Sequence, residues 1–142
     1  MSDLVKPVFT GNLNGHRLRF FKAPTDQPQL MWHSWDDLVA SASLPRSMRR
    51  EFKNKLQGDY GAEVRTVATA EGITTIAPHF MAQGFIGSMI ELGYAPPSTE
   101  MSYTIQSVDA WNALTASLPD QIGMDLFFKA YRNSNKLDGA GA

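Results

Sequence analysis

The dipeptide Asn14-Gly15 constrains the fold of this chain more than any other short segment. It separates two stretches in which apolar and polar residues alternate. Asn-Gly favours a type I′ turn, because both central residues of that turn need positive φ angles, and such a turn joins antiparallel strands. The sequence therefore predicts a β-hairpin. On its second strand Arg17 and Arg19 share one face, because side chains alternate along a strand.

A second hairpin is predicted at 63–78. Here the turn Ala70-Glu71-Gly72 separates two further segments of nearly alternating apolar residues. Arg65 lies on the first of these strands. A short strand is also expected at 101–106, where the sequence reads MSYTIQ. The two hairpins are expected to form a small antiparallel sheet.

Apolar residues at helical spacing, together with capping signals, predict the helices. Ser34 is an N-cap candidate, Gly58 is placed to end a helix as a left-handed residue, and the third helix is expected to end at Gly93. Gly84 and Gly87, inside the third helix, are expected to let it pack closely on the sheet. The expected spans are 34–42, 45–57, 78–92, 107–118 and 119–132.

These elements define an α+β fold, in which two β-hairpins form a small antiparallel sheet packed with about four to five helices. The 142 residues fit a single domain, which we assign to 1–133. We expect residues 134–142 to form a disordered tail.

The most informative segment for function is a helix–corner–helix at 34–57. Its second helix places Leu44, Met48, Phe52 and Leu56 on one stripe that is expected to be buried. Four cations recur at i, i+3, i+4 and i+7 on another face. They are Arg46, Arg49, Arg50 and Lys53. A helix built in this way can bury one side and offer the other to a phosphate backbone.

The same segment partly fits the outline of a bacterial helix-turn-helix unit. Ala40 supplies the small residue in the first helix, and Arg46 and Ser47 begin the second. Two features depart from the outline. The corner has no glycine, and Arg49 stands where a strict register needs an apolar residue. A helix that contacts only phosphates needs less of this segment than a true helix-turn-helix unit, which must also read bases in the major groove.

The charge distribution is consistent with a local binding patch. The net charge is −1, but residues 1–70 carry a net +3 and residues 71–142 a net −4. Local patches of one sign steer polyanions to one face of a protein.

Composition and motifs argue against several other classes of protein. The chain has no cysteine, so disulfides and thiolate metal sites are excluded. Its three histidines share no metal-ligand spacing, and no serine lies in a nucleophile motif. We therefore predict that the protein is not an enzyme and has no catalytic residues, no metal and no cofactor. No apolar run approaches the length of a membrane span, so we expect a cytoplasmic protein without membrane contact.

The order of several motifs resembles a known family. A hairpin F-x-G-x-x-x-G begins at Phe9, and a Trp before a DDLV helix follows at 32–39. A hairpin T-x-x-G-x-x-x-I at 69–76 then precedes a helix with QGFIGSMI at 83–90. This order resembles the BRO-N domain, the N-terminal module of phage antirepressors and of proteins from large DNA viruses. One departure is Glu71-Gly72, where the family has a double glycine. The resemblance implies a DNA-binding or regulator-binding role in phage or mobile-element biology and transfers no contact residues.

Two functional hypotheses follow. The first is a nucleic-acid-binding regulatory protein of phage or mobile-element type that contacts DNA phosphates through the basic helix. Its candidate contact residues are Arg46, Ser47, Arg49, Arg50, Lys53, Arg17, Arg19 and Arg65. The second is a protein-binding module, such as an antirepressor or inhibitor, that grips an acidic protein surface, because guanidinium groups pair with carboxylates as well as phosphates. A homodimer is an option, and its contact would involve the last helix, with Leu126, Phe127, Phe128 and Tyr131. Burial of this helix in the monomer core explains the same apolar residues equally well.

Overall fold

The computed structural model describes residues 4–134, without the side chain of Gln57. Within them the fold is α+β, as predicted, with a five-stranded antiparallel sheet and five α-helices. The strands are β1 (Phe9–Leu13), β2 (His16–Phe21), β3 (Trp32–Ser34), β4 (Arg65–Thr69) and β5 (Gly72–Ala77). They lie in the order β1-β2-β3-β5-β4.

Both predicted hairpins are confirmed. Asn14 and Gly15 have φ angles of 52° and 86°, as a type I′ turn requires. The turn fixes the register of β1 against β2, with Leu13 opposite His16 and Phe9 opposite Phe20. In the second hairpin Gly72 has a φ of 115° and lies opposite Thr69.

The central strand, β3, was not predicted. It connects the two hairpins, since it pairs with β2 through His33 opposite Phe20 and with β5 through Ser34 opposite Ile76. Ser34 also begins the following helix, because its hydroxyl accepts a hydrogen bond from the backbone N–H of Asp37 at 3.1 Å. The predicted N-cap is therefore confirmed.

The helices are α1 (Trp35–Ala40), α2 (Arg46–Tyr60), α3 (His79–Leu92), α4 (Thr99–Leu114) and α5 (Asp120–Ser134), and a short 3₁₀ helix spans Gly61–Glu63. The predicted helix–corner–helix is present as α1 and α2. Gly93 ends α3, as expected, and has the left-handed conformation with a φ of 84°.

Four local predictions were wrong. Residues 101–106 lie in α4 rather than in a strand, because Tyr103, Ser107 and Ala110 are buried at helical spacing. Ser107 therefore lies inside a helix instead of capping one. Gly58 does not end α2, which continues to Tyr60. Gly84 is exposed, as is Gly87, so neither residue brings α3 closer to the sheet.

The C-terminal boundary also moves. Ser134 ends α5 and its hydroxyl accepts a hydrogen bond from the backbone N–H of Leu30 at 2.8 Å. This residue belongs to the folded domain and not to the predicted tail. Residues 135–142 lie outside the described part of the chain, so the expectation of disorder there stays a prediction.

The main core lies between the helices and one face of the sheet. Leu18 and Phe20 of β2 are fully buried there against helices that include α4, whose Tyr103 contacts Phe20 with a ring-centroid distance of 5.7 Å. A smaller cluster of Phe21, Ala23, Trp32 and Ile76 is also buried. The core fixes the position of α2, on which the candidate interface lies.

Candidate nucleic-acid interface

The apolar stripe of α2 anchors the helix to the core. Leu56 is buried, and Met48 and Phe52 are half-buried and packed against the main core, as the spacing predicts. Leu44 is also buried, but it precedes α2, which begins at Arg46 after the corner at Pro45. The ring of Phe52 meets that of Phe85 on α3 edge-on, at a centroid distance of 5.4 Å. Because one side of α2 is fixed in this way, the orientation of its polar side is fixed too.

Three arginines on α2 are exposed and have no ion-pair partner in the described part of the chain. Arg46, Arg49 and Arg50 all lie at the surface, and Ser47 is exposed beside them. Within residues 4–134 none of the three guanidinium groups forms an ion pair. They are therefore available to an external anion.

The position of these arginines along α2 adds to the positive potential. They lie in the N-terminal part of the helix, whose first turn has no acidic residue and whose N-cap, Pro45, makes no side-chain hydrogen bond. The N-terminus of a helix carries a partial positive charge that disfavours cations by about 0.3–1 kcal/mol each. A sequence chosen for stability alone would place Asp or Glu here. The unfilled N–H groups and the arginines together favour an anion.

Lys53, the fourth predicted cation, is already paired within the chain. Its ammonium lies 3.3 Å from a carboxylate oxygen of Asp36 on α1. Burial opposes ionisation of Asp36, but hydrogen bonds from Thr74 at 2.7 Å and Thr75 at 3.0 Å, together with Lys53, lower the pKa of this carboxyl. Lys53 therefore connects α2 to α1 and β5, and contributes less to an external site than the three arginines.

Arg19 is not at the surface, which removes it from the candidate interface. Its side chain is buried and grips Asp37 with two hydrogen bonds, of 2.8 Å from Nε and 3.1 Å from Nη2. The backbone N–H of Arg19 donates to the same carboxylate at 3.0 Å. The side-chain hydrogen bond to Asp37 raises the pKa of Arg19. This pair is structural, and it attaches α1 to β2.

Arg17 shares its face of β2 with Arg19, as predicted, but it is also occupied. Its guanidinium pairs with the carboxylate of Glu71 in the second hairpin turn and lies 3.9 Å from Asp37. Arg65 is exposed at the start of β4 and donates to the carbonyl of Val64 at 3.1 Å. Seven of the eight predicted contact residues are exposed, and Arg19 is buried. Among the seven, Arg17 and Lys53 pair with carboxylates, whereas the three arginines of α2, Ser47 and Arg65 are in no ion pair within residues 4–134.

A groove beside α2 was missed at the sequence level. It has a volume of about 680 Å³ and lies between the C-terminal half of α2 and α3. Gly84 and Ser88 of α3 line it, and a Cβ atom at Gly84 would meet no atom within 4 Å. The small residues of α3 were the available signal, since they leave this space open. The aromatic residues that line the groove are Trp35, Phe52, Tyr60, Phe80 and Phe85.

Two histidines lie inside the core rather than at a site. His33 is fully buried, and neither of its ring nitrogens has a hydrogen-bond partner among the described residues. Burial, together with the nearby His79, lowers the pKa of His33 to about 3. Burial alone lowers the pKa of His79 to about 4. Both rings contact that of Tyr103, with centroid distances of 6.1 Å and 5.6 Å.

Comparisons with protein-family models, curated proteins and solved structures gave no significant match to this chain. The similarity to the BRO-N domain therefore stays a prediction. In the described part of the chain no cluster of three or more His, Cys, Asp or Glu side chains is arranged to hold a metal ion. None of the helices between residues 4 and 134 has the length and apolar character needed to cross a membrane.

Proposed function

We propose that the protein is a nucleic-acid-binding regulatory protein that contacts DNA phosphates through α2. The observation that carries the proposal is the contrast among the arginines. Arg17 and Arg19 are paired with carboxylates, whereas Arg46, Arg49 and Arg50 are exposed and form no ion pair within residues 4–134. Three unpaired guanidinium groups at the positive end of one helix favour a polyanion.

The expected binding is sensitive to salt. If each of the three arginines neutralises one phosphate of a duplex, log K should fall with log salt at a slope of about −2.7. Affinity should then drop about 40-fold between about 50 and about 200 mM salt. Lys53 would add to this slope only if it left Asp36, which lies 3.3 Å away.

Fluorescence anisotropy with labelled single- and double-stranded DNA tests the proposal. Each single Ala substitution of Arg46, Arg49 or Arg50 should reduce the slope by about 0.9, and the triple variant should lose binding. Lys55→Ala is the matched control. It removes one exposed cation from α2 on the side of the helix away from the arginines, where Lys55 pairs with Asp59 at 3.3 Å. This variant should bind like the native protein.

Three outcomes would contradict the proposal. The first is an absence of DNA binding at about 50 mM salt. The second is a salt slope that stays unchanged in the triple variant, because the contact surface would then lie elsewhere. The third is a fall in DNA affinity with Lys55→Ala equal to that of a single arginine variant. The total charge of the protein, and not the arginine face of α2, would then determine the affinity.

A second candidate function, an antirepressor-like or inhibitory protein-binding module, is favoured by the groove. An acidic partner with an apolar anchor could place carboxylates on the arginines and the anchor between α2 and α3. Gly84→Leu separates the two functions, because a Leu side chain at this open position would occupy the groove without changing charge. Loss of one co-purifying protein partner with retention of DNA binding would assign the groove to protein recognition.

The regulatory and phage-related parts of the proposal are supported by the BRO-N-like order of motifs. Heparin competition gives a further distinction, since heparin should displace DNA from the arginines and leave an apolar anchor in the groove less affected.

A further inference from the structure

Helix α5 carries an apolar stripe on its outer surface. Met124, Phe128 and Tyr131 are 54%, 53% and 51% exposed, and they recur at i, i+4 and i+7. This spacing repeats the d, a and d positions of a heptad, the pattern by which two helices pack side by side. Large apolar side chains that are exposed singly are common, but a row of three on one helix is typical of an interface.

The opposite side of α5 already holds the helix in the domain. Ala130 and Ser134 are buried, and Leu126 and Phe127 are partly buried against the main core. The ring of Phe127 meets that of Trp111 on α4 at a centroid distance of 6.1 Å. Of the residues suspected from the sequence, Leu126 and Phe127 thus serve the monomer core, whereas Phe128 and Tyr131 are half exposed.

The charges beside the apolar stripe complement those of a second copy of α5. Asp125 and Arg132 occupy the two e positions that border one edge of the stripe, one turn to either side of Phe128. If a second copy of α5 lies antiparallel and crosses at Phe128, each e position faces an e position of the other helix. Asp125 of each copy then faces Arg132 of the other, which gives two ion pairs related by the two-fold axis. In a parallel pair e positions face g positions, so Asp125 and Arg132 would instead face the heptad position that the half-buried Phe127 occupies.

We propose that α5 is the contact surface of a homodimer, in which two copies pack antiparallel through Met124, Phe128 and Tyr131 and are aligned by Asp125 and Arg132. The proposal is independent of nucleic-acid binding. The exposed side of α4 is less suited to define one partner. Its apolar stripe of Met101, Ile105 and Val108 has Asp109 as the nearest flanking charge and no cation within the helix to complement it.

Analytical ultracentrifugation of the full chain tests the proposal. The native protein should sediment as a dimer whose dissociation constant rises at least tenfold with Phe128→Glu. Ile73→Glu is the control, because Ile73 is 76% exposed on β5 and lies outside α5. The control should dimerise like the native protein. Circular dichroism of each variant verifies that it is folded, as is expected for substitutions at exposed positions.

Exchanging the charges tests the antiparallel arrangement itself. Asp125→Arg and Arg132→Asp each place like charges opposite one another, so each variant alone should be monomeric where the native chain is dimeric. An equimolar mixture of the two should form a heterodimer, because every Arg then faces an Asp, and the double variant should recover the homodimer.

Three results would overturn the proposal. One is a native protein that stays monomeric at all accessible concentrations. Another is a dimer that survives Phe128→Glu but is lost with Ile105→Glu, which would move the contact to α4. The last is a pair of charge variants that do not associate when they are mixed although the native chain dimerises.

Discussion

Mild acid should destabilise this fold through His33 and His79. Both are buried, and their pKa values, about 3 and about 4, lie below the ordinary value of 6.5. Above pH 7 both imidazoles are neutral in the folded and in the unfolded chain, so they do not make the free energy of unfolding depend on pH. Below pH 6.5 the unfolded chain takes up two protons that the folded chain does not, and stability falls with pH.

The magnitude follows from these pKa values. At pH 5 an unfolded histidine is almost fully protonated, while His33 and His79 are still almost neutral in the folded protein. Each should therefore reduce the free energy of unfolding by about 2 kcal/mol between pH 7 and pH 5, and the pair by about 4 kcal/mol. As the pH falls further, the loss from His79 should level off near pH 4 and the loss from His33 near pH 3, where each ring becomes protonated in the folded state. The pKa of Asp36 is lowered, so this carboxyl titrates below the range that is compared.

Urea denaturation at pH 7 and pH 5, at equal ionic strength, measures this difference. His33→Leu should halve it, because one of the two buried groups no longer titrates. His16→Leu is the matched control, since His16 is exposed on β2, and it should leave the difference unchanged. Equal stability of the native chain at both pH values would refute the reasoning, as would an undiminished loss in His33→Leu.

Three further substitutions test individual features of the fold by urea denaturation. Asp37→Ala should cost about 3–5 kcal/mol, because it leaves the buried guanidinium of Arg19 with two distant partners, the hydroxyl of Thr69 at 3.5 Å and the carboxylate of Glu71 at 4.0 Å. A loss under about 1 kcal/mol would contradict the structural role of the pair of Arg19 and Asp37. Gly84→Ala should stabilise the protein by about 0.5–1 kcal/mol, since its Cβ would meet open space inside a helix, and destabilisation would show that α3 has a close neighbour there. Gly15→Ala should cost about 1–2 kcal/mol because φ is 86° at this turn, so unchanged stability would mean that the turn is not type I′.

The elements that the sequence predicted correctly are those with local signals. The turn at Asn14-Gly15 depends only on the backbone preferences of two residues, and Gly93 ends α3 for the same type of reason. The apolar stripe of α2 was also predictable, because it repeats every four residues. The exposure of Arg46 and Arg49 follows from the same periodicity.

The elements that were missed depend on distant parts of the chain. α4 looked like a strand at its start because Tyr103 and Ile105 alternate with polar residues, while the buried Ser107 hides the helical stripe. The alternation along β2 correctly placed Arg17 and Arg19 on one face. The alternation could not show that Arg19 would be buried in an ion pair with Asp37, which lies on α1. Part of the candidate interface was therefore predictable from periodicity, whereas the pairing state of each cation required the fold.

The three-residue strand β3 has a consequence for how the domain folds. Each hairpin is closed by a short turn and can form within microseconds, but a hairpin alone is marginally stable in water. β3 joins them through only two residue pairs on each side. The rate-limiting step of folding should be the docking of this segment between two transiently formed hairpins, so substitutions in either turn, as well as in this segment, should slow folding. Amide exchange in both hairpins should accordingly report a single cooperative opening, since neither half of the sheet persists once Trp32–Ser34 has left it.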